Sequence, residues 1–205
     1  MKKYLGEFLL AIGAGIGISI GGAIYLSLEN KTVGALFFTV GLYMIVLNGL
    51  FLYTGKIGYL VNEKPKYLIT LLMTWLGNLC GTYIGAKLLL MTKLSAIGET
   101  ASSMCEAKVT QPILQAFVLA IFCGLLMFVA VDGYKESKNP IILFLCVAVF
   151  ILCGFEHCIA NMFYLSVGSS WSLRALGYII VMTLGNSVGG MFIPFLKKVS
   201  NALNN

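Results

Sequence analysis

An acid, an imidazole and an amide interrupt an otherwise apolar stretch of this chain. Glu156, His157 and Asn161 lie in Gly154-Phe155-Glu156-His157-Cys158-Ile159-Ala160-Asn161-Met162-Phe163, and His157 is the only histidine among 205 residues. Ionisable groups at membrane depth are expensive, and those that persist there line a pathway or bind something. A neutral imidazole has one N–H and one acceptor nitrogen. It can donate a hydrogen bond to an anion or hand it a proton, unless it is merely a core ring satisfied by a nearby carbonyl or hydroxyl. A second interruption, Leu52-Tyr53-Thr54-Gly55-Lys56, supplies the hydroxyl of Thr54, an uncharged partner unless it bonds back to its own helix. Glu156 would repel an anion, so it is expected to cap backbone amides of the broken helix or to orient its neighbour. Asn161 is expected to tie loop backbone together. Lys108, at the start of another apolar run, is either a snorkelling flank residue or a vestibule cation that concentrates anions.

These groups need a membrane-embedded frame. The chain is 59% hydrophobic and only 11% charged, against roughly 25% charged in soluble domains. Apolar runs fall at 5–28, 33–52, 67–91, 109–131, 140–167 and 173–196, each close to the 17–25 residues a spanning helix needs. The expectation is an all-α polytopic membrane protein with six transmembrane helices, a single membrane domain over 1–205. Its lipid bilayer partner follows from the same runs. The first run is too long and too glycine-rich for a cleaved signal, so it is read as a retained helix.

The net charge of +6 records topology rather than nucleic-acid binding. Nine lysines (2, 3, 56, 64, 66, 135, 138, 197 and 198) flank one side of the spans, against Lys31, Lys87, Lys93, Lys108 and Arg174 on the other. This bias places both termini in the cytoplasm. Six cysteines show no metal or cluster spacing, and one histidine cannot supply bis-histidine haem ligation. No metal, no cofactor and no enzymatic role are therefore expected.

The two halves echo one another. Leu76-Gly77-Asn78-Leu79-Cys80-Gly81 recurs 108 residues later as Leu184-Gly185-Asn186-Ser187-Val188-Gly189, and the interrupted second and fifth spans correspond likewise. Three spans per half insert the halves in opposite orientations, an inverted 3+3 repeat of about 5–91 and 107–197 whose binding site lies at the broken helices. Phe38, Leu42, Leu52, Phe150 and Phe155 lie on the spans leading into the interruptions. Some of them must wall the pathway, where an apolar constriction would block hydrated ions. A neutral-solute channel of the aquaporin type is the alternative, but the paired Asn-Pro-Ala signatures it would need are absent.

The run GFEHCIANMF resembles the fifth-span signature of the formate/nitrite transporter family. LYTG at 52–55, TLGNSVGG at 183–190 and AKVTQP at 107–112 are similar to that family's second-, sixth- and fourth-span motifs. The resemblance implies a homopentamer of aquaporin-like protomers, each passing a small inorganic or organic anion of a weak acid such as formate, nitrite or hydrosulfide. It implies that His157 is the central pore histidine, Thr54 its partner and Lys108 the vestibule lysine. Leu42 and Phe150 would shape the cytoplasmic constriction, and Phe38, with Leu52 and Tyr53, the outer one. Tyr53, Phe51, Gly124 and Asp132 depart from the family's commoner residues, which weakens assignment to one substrate branch.

Overall fold

A computed structural model of the protein describes residues 2–204. Its elements are α1 (Lys2–Ser27), α2 (Lys31–Leu47), a one-turn 3-10 helix (Ile57–Val61), α3 (Tyr67–Leu90), α4 (Ile97–Thr110), α5 (Ile113–Ser137), α6 (Ile141–Leu152), α7 (Cys158–Val167) and α8 (Leu173–Leu203). No strand occurs among the described residues. Four helices, α1, α3, α5 and α8, are long and apolar enough to cross a membrane.

The remaining apolar helices are short. At 1.5 Å per residue, α6 and α7 are only about 18 and 15 Å long, together close to the roughly 30 Å of a hydrocarbon core. The run at 33–52 does not stay helical throughout. It stops after Leu47, where Gly49 takes φ +62°, and α6 stops in the same way before Gly154 at φ +68°. Both turns need a left-handed residue, which glycine supplies without a Cβ clash. The expected fourth span is displaced. Pro112 lacks an N–H and holds Gln111 extended (φ −63°, ψ 157°), ending one helix and beginning the next. Lys108 thus belongs to the last turn of a separate helix, α4, rather than to the membrane-length α5.

Helix α1 packs along α3, and α5 along α8, while α7 lies against α3 and the 3-10 helix against α8. The L-G-N-x-x-G motifs explain these pairings. A Cβ on Gly81 would overlap the carbonyl oxygen of Ile12, and one on Gly189 that of Ile121. Backbones approach this closely only over small residues.

The asparagines of the same motifs hold the interruptions. Asn78 donates from Nδ2 to the carbonyls of Ala11 (2.9 Å) and Phe51 (2.8 Å) and accepts from the Tyr53 N–H (2.9 Å). Asn186 donates to Ala120 (2.8 Å) and Glu156 (2.8 Å) and accepts from the Cys158 N–H (2.9 Å). Both side chains are fully buried. Each amide uses one donor and its acceptor to satisfy broken backbone that no helix satisfies, which non-helical chain in an apolar interior requires, and its other donor to tie that backbone to a helix carbonyl.

Asn78→Ala leaves the Phe51 carbonyl and the Tyr53 N–H unpaired, and Asn186→Ala the Glu156 carbonyl and the Cys158 N–H, at about 1–3 kcal/mol per group. Both variants are expected to lower the thermal midpoint of the detergent-solubilised protein by a similar amount. Asn78→Leu, which keeps the branched shape and not the bonds, should do no better.

Candidate functional site

The two interruptions meet. Thr54 Oγ1 lies 2.9 Å from His157 Nε2, across 103 positions of sequence, with both side chains buried. His157 is also the N-cap of α7, where its Nδ1 accepts the Ala160 N–H at 3.0 Å. A nitrogen that accepts carries no proton, so the single proton of the neutral ring sits on Nε2 and is donated to Thr54. The threonine hydroxyl hydrogen is then free for another acceptor. His157 stacks on Phe150 (centroids 5.7 Å apart, planes 28° apart), and Phe150 meets Phe38 edge to face at 6.0 Å.

A cavity of about 530 Å³ reaches this ring from the side where α1 ends. His157, Glu156, Lys108, Gln111 and Tyr25 are among its lining. Glu156, 3% exposed, accepts from three side chains. Lys108 Nζ lies 2.6 Å and Asn161 Nδ2 2.7 Å from its Oε2, and Gln111 Nε2 lies 2.8 Å from its Oε1. A buried carboxylate is tolerable only when paired and hydrogen-bonded in this way.

Several expectations change here. Glu156 caps no backbone amide. His157 and Asn186 cap α7, through the N–H groups of Ala160 and Cys158. Asn161 bonds the Glu156 carboxylate rather than loop backbone. Lys108 is not a solvated flank residue: it lines the cavity, with its charge balanced by Glu156. Phe38 and Phe150, expected on opposite sides of the imidazole, touch each other. Leu42 is fully buried. Tyr53 turns away from the Thr54–His157 pair: its hydroxyl shares a 2.9 Å bond with Ser187 Oγ, and its ring lines a groove between α3 and α8. Leu52, expected at the outer constriction, lines a small cavity near Lys56 and Lys135. Gln111, Asn78 and Asn186 were not recognised as site-forming from the sequence. Gln111 offers no signal, since its role depends on the turn at Pro112. The repeated asparagine inside an apolar motif is a signal for the other two.

Comparison with known proteins follows the same lines. The Formate/nitrite transporter family model matches residues 2–198. The formate channel FocA of Escherichia coli (strain K12) is 31% identical over 193 residues, covering 82% of this chain and 67% of that protein. The nitrite transporter NirC of the same strain is 27% identical over 202 residues, covering 87% of this chain and 75% of that one. A solved structure described as a pentameric formate channel with formate bound superposes with a TM-score of 0.82 at 26% identity, covering 98% of each chain. These relatives bear channel and transporter names, not enzyme names.

Lys108→Met strands the Glu156 charge with two neutral donors. Breaking a buried pair from one side costs about 3–5 kcal/mol, and less where the cation reaches solvent, as Lys108 does at 20% exposure. Thermal unfolding should show Lys108→Met less stable than the Lys108→Met/Glu156→Gln double variant, a non-additivity readable in a double-mutant cycle.

Proposed function

The chain belongs to the formate/nitrite transporter family, a family of multi-pass membrane channels and transporters, and from that premise we propose that it conducts a small monovalent weak-acid anion (formate, nitrite or hydrosulfide) through a pore in each protomer centred on His157 and Thr54. The observation that carries this reading is the 2.9 Å contact between those residues, at the floor of the 530 Å³ cavity and at the meeting point of two broken segments. The names of FocA and NirC, and the formate bound in the pentameric structural relative, support the substrate class. The pentameric relative also supports a homopentamer here.

In this reading the single membrane domain crosses the bilayer six times. The crossings are α1, α2 with the 3-10 helix, α3, α5, α6 with α7, and α8, arranged as an aquaporin-like inverted repeat with both termini cytoplasmic. The energetic obstacle is desolvation, an idealised Born cost of order 20 kcal/mol for a bare ion in a medium of dielectric about 4. Lys108 spends one ammonium hydrogen on Glu156 and keeps two for an arriving anion. Its charge is meanwhile balanced, so the anion is not trapped. Thr54 and the Nε2–H of His157 then replace lost hydration. The apolar surfaces of Phe38, Leu42 and Phe150 exclude ions that arrive with their water. Because the Ala160 N–H occupies Nδ1, the ring stays neutral and offers the anion a hydrogen bond from Nε2, while the proton that neutralises the anion comes from solvent. A weak-acid anion can accept that proton and cross as the neutral acid, whereas chloride cannot. A second reading, a neutral-solute channel, draws on the charge balance of Lys108 and Glu156.

In proteoliposomes, saturable uptake of formate, nitrite or hydrosulfide is expected, with chloride and glycerol excluded. His157→Ala should change the rate at least about tenfold and abolish its pH dependence. Equal passage of chloride, or indifference to the loss of His157, would overturn the central-histidine mechanism. Glycerol flux without anion flux would favour the neutral-solute reading.

A further inference from the structure

The large cavity has a counterpart at the other end of the bundle. A smaller one, of about 70 Å³, lies where α2 breaks and α5 ends, with room for about two waters or one three-atom anion. Each of its lining residues between 45 and 56 corresponds, 105 positions on, to a residue lining the large cavity. Leu50 thus answers to Phe155, Leu52 to His157 and Lys56 to Asn161. The backbone follows the same rule. The Phe51 N–H donates to Leu10 and the Glu156 N–H to Leu119, both at 3.4 Å, and the two carbonyls accept from Asn78 and Asn186. The two cavities are therefore equivalent approaches to one centre.

Their electrostatics differ. The counterpart of Glu156 is Phe51, and Lys56 Nζ lies over its ring at 3.5 Å from the centroid. A ring face holds an ammonium but does not cancel its charge. Lys135 enters the same cavity from α5 and donates to Tyr59 Oη at 2.7 Å, while that phenol donates to Asp132 at 3.0 Å. Glu7, the nearest acid on α1, pairs at 3.7 Å with Lys3. Among the described residues the only ion pairs are Lys3–Glu7 and Lys108–Glu156, so neither lysine of the small cavity is neutralised directly. Two cations converging on a cavity with apolar walls focus potential into it.

We propose that Lys56 and Lys135 form a second anion site, which holds a small monovalent anion of the transported class at the terminus-bearing mouth of the pathway. It rests on the pathway reading above and adds to it an asymmetry. At the large cavity an anion meets a balanced ion pair, and at the small one it meets two lysines with no direct ion pair, on which Glu7 and Asp132 act only from a distance.

The test uses full-length protein in proteoliposomes of one orientation, selected by a C-terminal affinity tag, with formate offered from either side. For K56Q/K135Q the half-saturating formate concentration should rise at least about fivefold from the terminus-bearing side and less than twofold from the other. Its dependence on ionic strength should weaken. K56R/K135R, which keeps both charges, should behave as the native chain, and K64Q/K66Q, which removes two exposed lysines near the same face, should change little. Equal effects from both sides, or the same effect in K64Q/K66Q, would overturn the site. Line broadening of 13C-formate by detergent-solubilised protein separates this proposal from the pathway reading. Absent flux in the native chain overturns the pathway, whereas broadening that is unchanged in K56Q/K135Q overturns the site alone. Broadening lost there and kept in K64Q/K66Q supports it.

Discussion

Backbone that leaves helical geometry deep in an apolar bundle must find its hydrogen-bond partners within the protein, and two asparagines meet that demand here. Asn78 and Asn186 each clamp one interruption to the helix alongside it. Thr54, Glu156 and His157 all sit on those clamped segments. Without Asn186 the carbonyl of Glu156 and the N–H of Cys158 would be unpaired on either side of His157. The imidazole can be aimed at Thr54 because its backbone cannot relax elsewhere.

The clamps also explain why glycine recurs on the same helices. An asparagine side chain reaches the neighbouring helix and the broken segment together only when two helix backbones lie almost in contact. Gly81 and Gly189 permit that approach, because any side chain at either position would collide with a carbonyl of the facing helix. Close packing and polar satisfaction are thus one constraint, written twice in the chain.

Within that frame, symmetry is structural and asymmetry is chemical. Corresponding backbone positions of the two interruptions make the same bonds, yet one carries Leu52 where the other carries His157, and Phe51 where the other carries Glu156. A single imidazole therefore stands at the junction, bonded to a hydroxyl from the other half. The carboxylate beside it gathers Lys108, Gln111 and Asn161 from two helices into one balanced cluster. At the other interruption a ring takes the acid's place, and neither Lys56 nor Lys135 beside it has a direct ion pair. Two interruptions with the same backbone bonds thus carry different electrostatics.

The family resemblance implied the pairing of Thr54 with His157; the sequence by itself determined the helical class, the paired L-G-N-x-x-G motifs and the positions of the two interruptions. Each follows from apolar run length, an internal echo or a polar group in a costly place, all of which are properties of the linear chain. Only the tertiary structure decided what the polar groups bond. Glu156 was expected to cap backbone or orient its neighbour, and Lys108 to be a solvated flank residue or a vestibule cation; a turn at Pro112 brings α4 back over the break and joins the two. Tyr53 and Thr54 are neighbours in sequence, yet one faces α8 and the other the imidazole. Residue type and spacing say that a buried charge needs a partner. Which partner it finds depends on helix directions that are fixed only when the two halves pack.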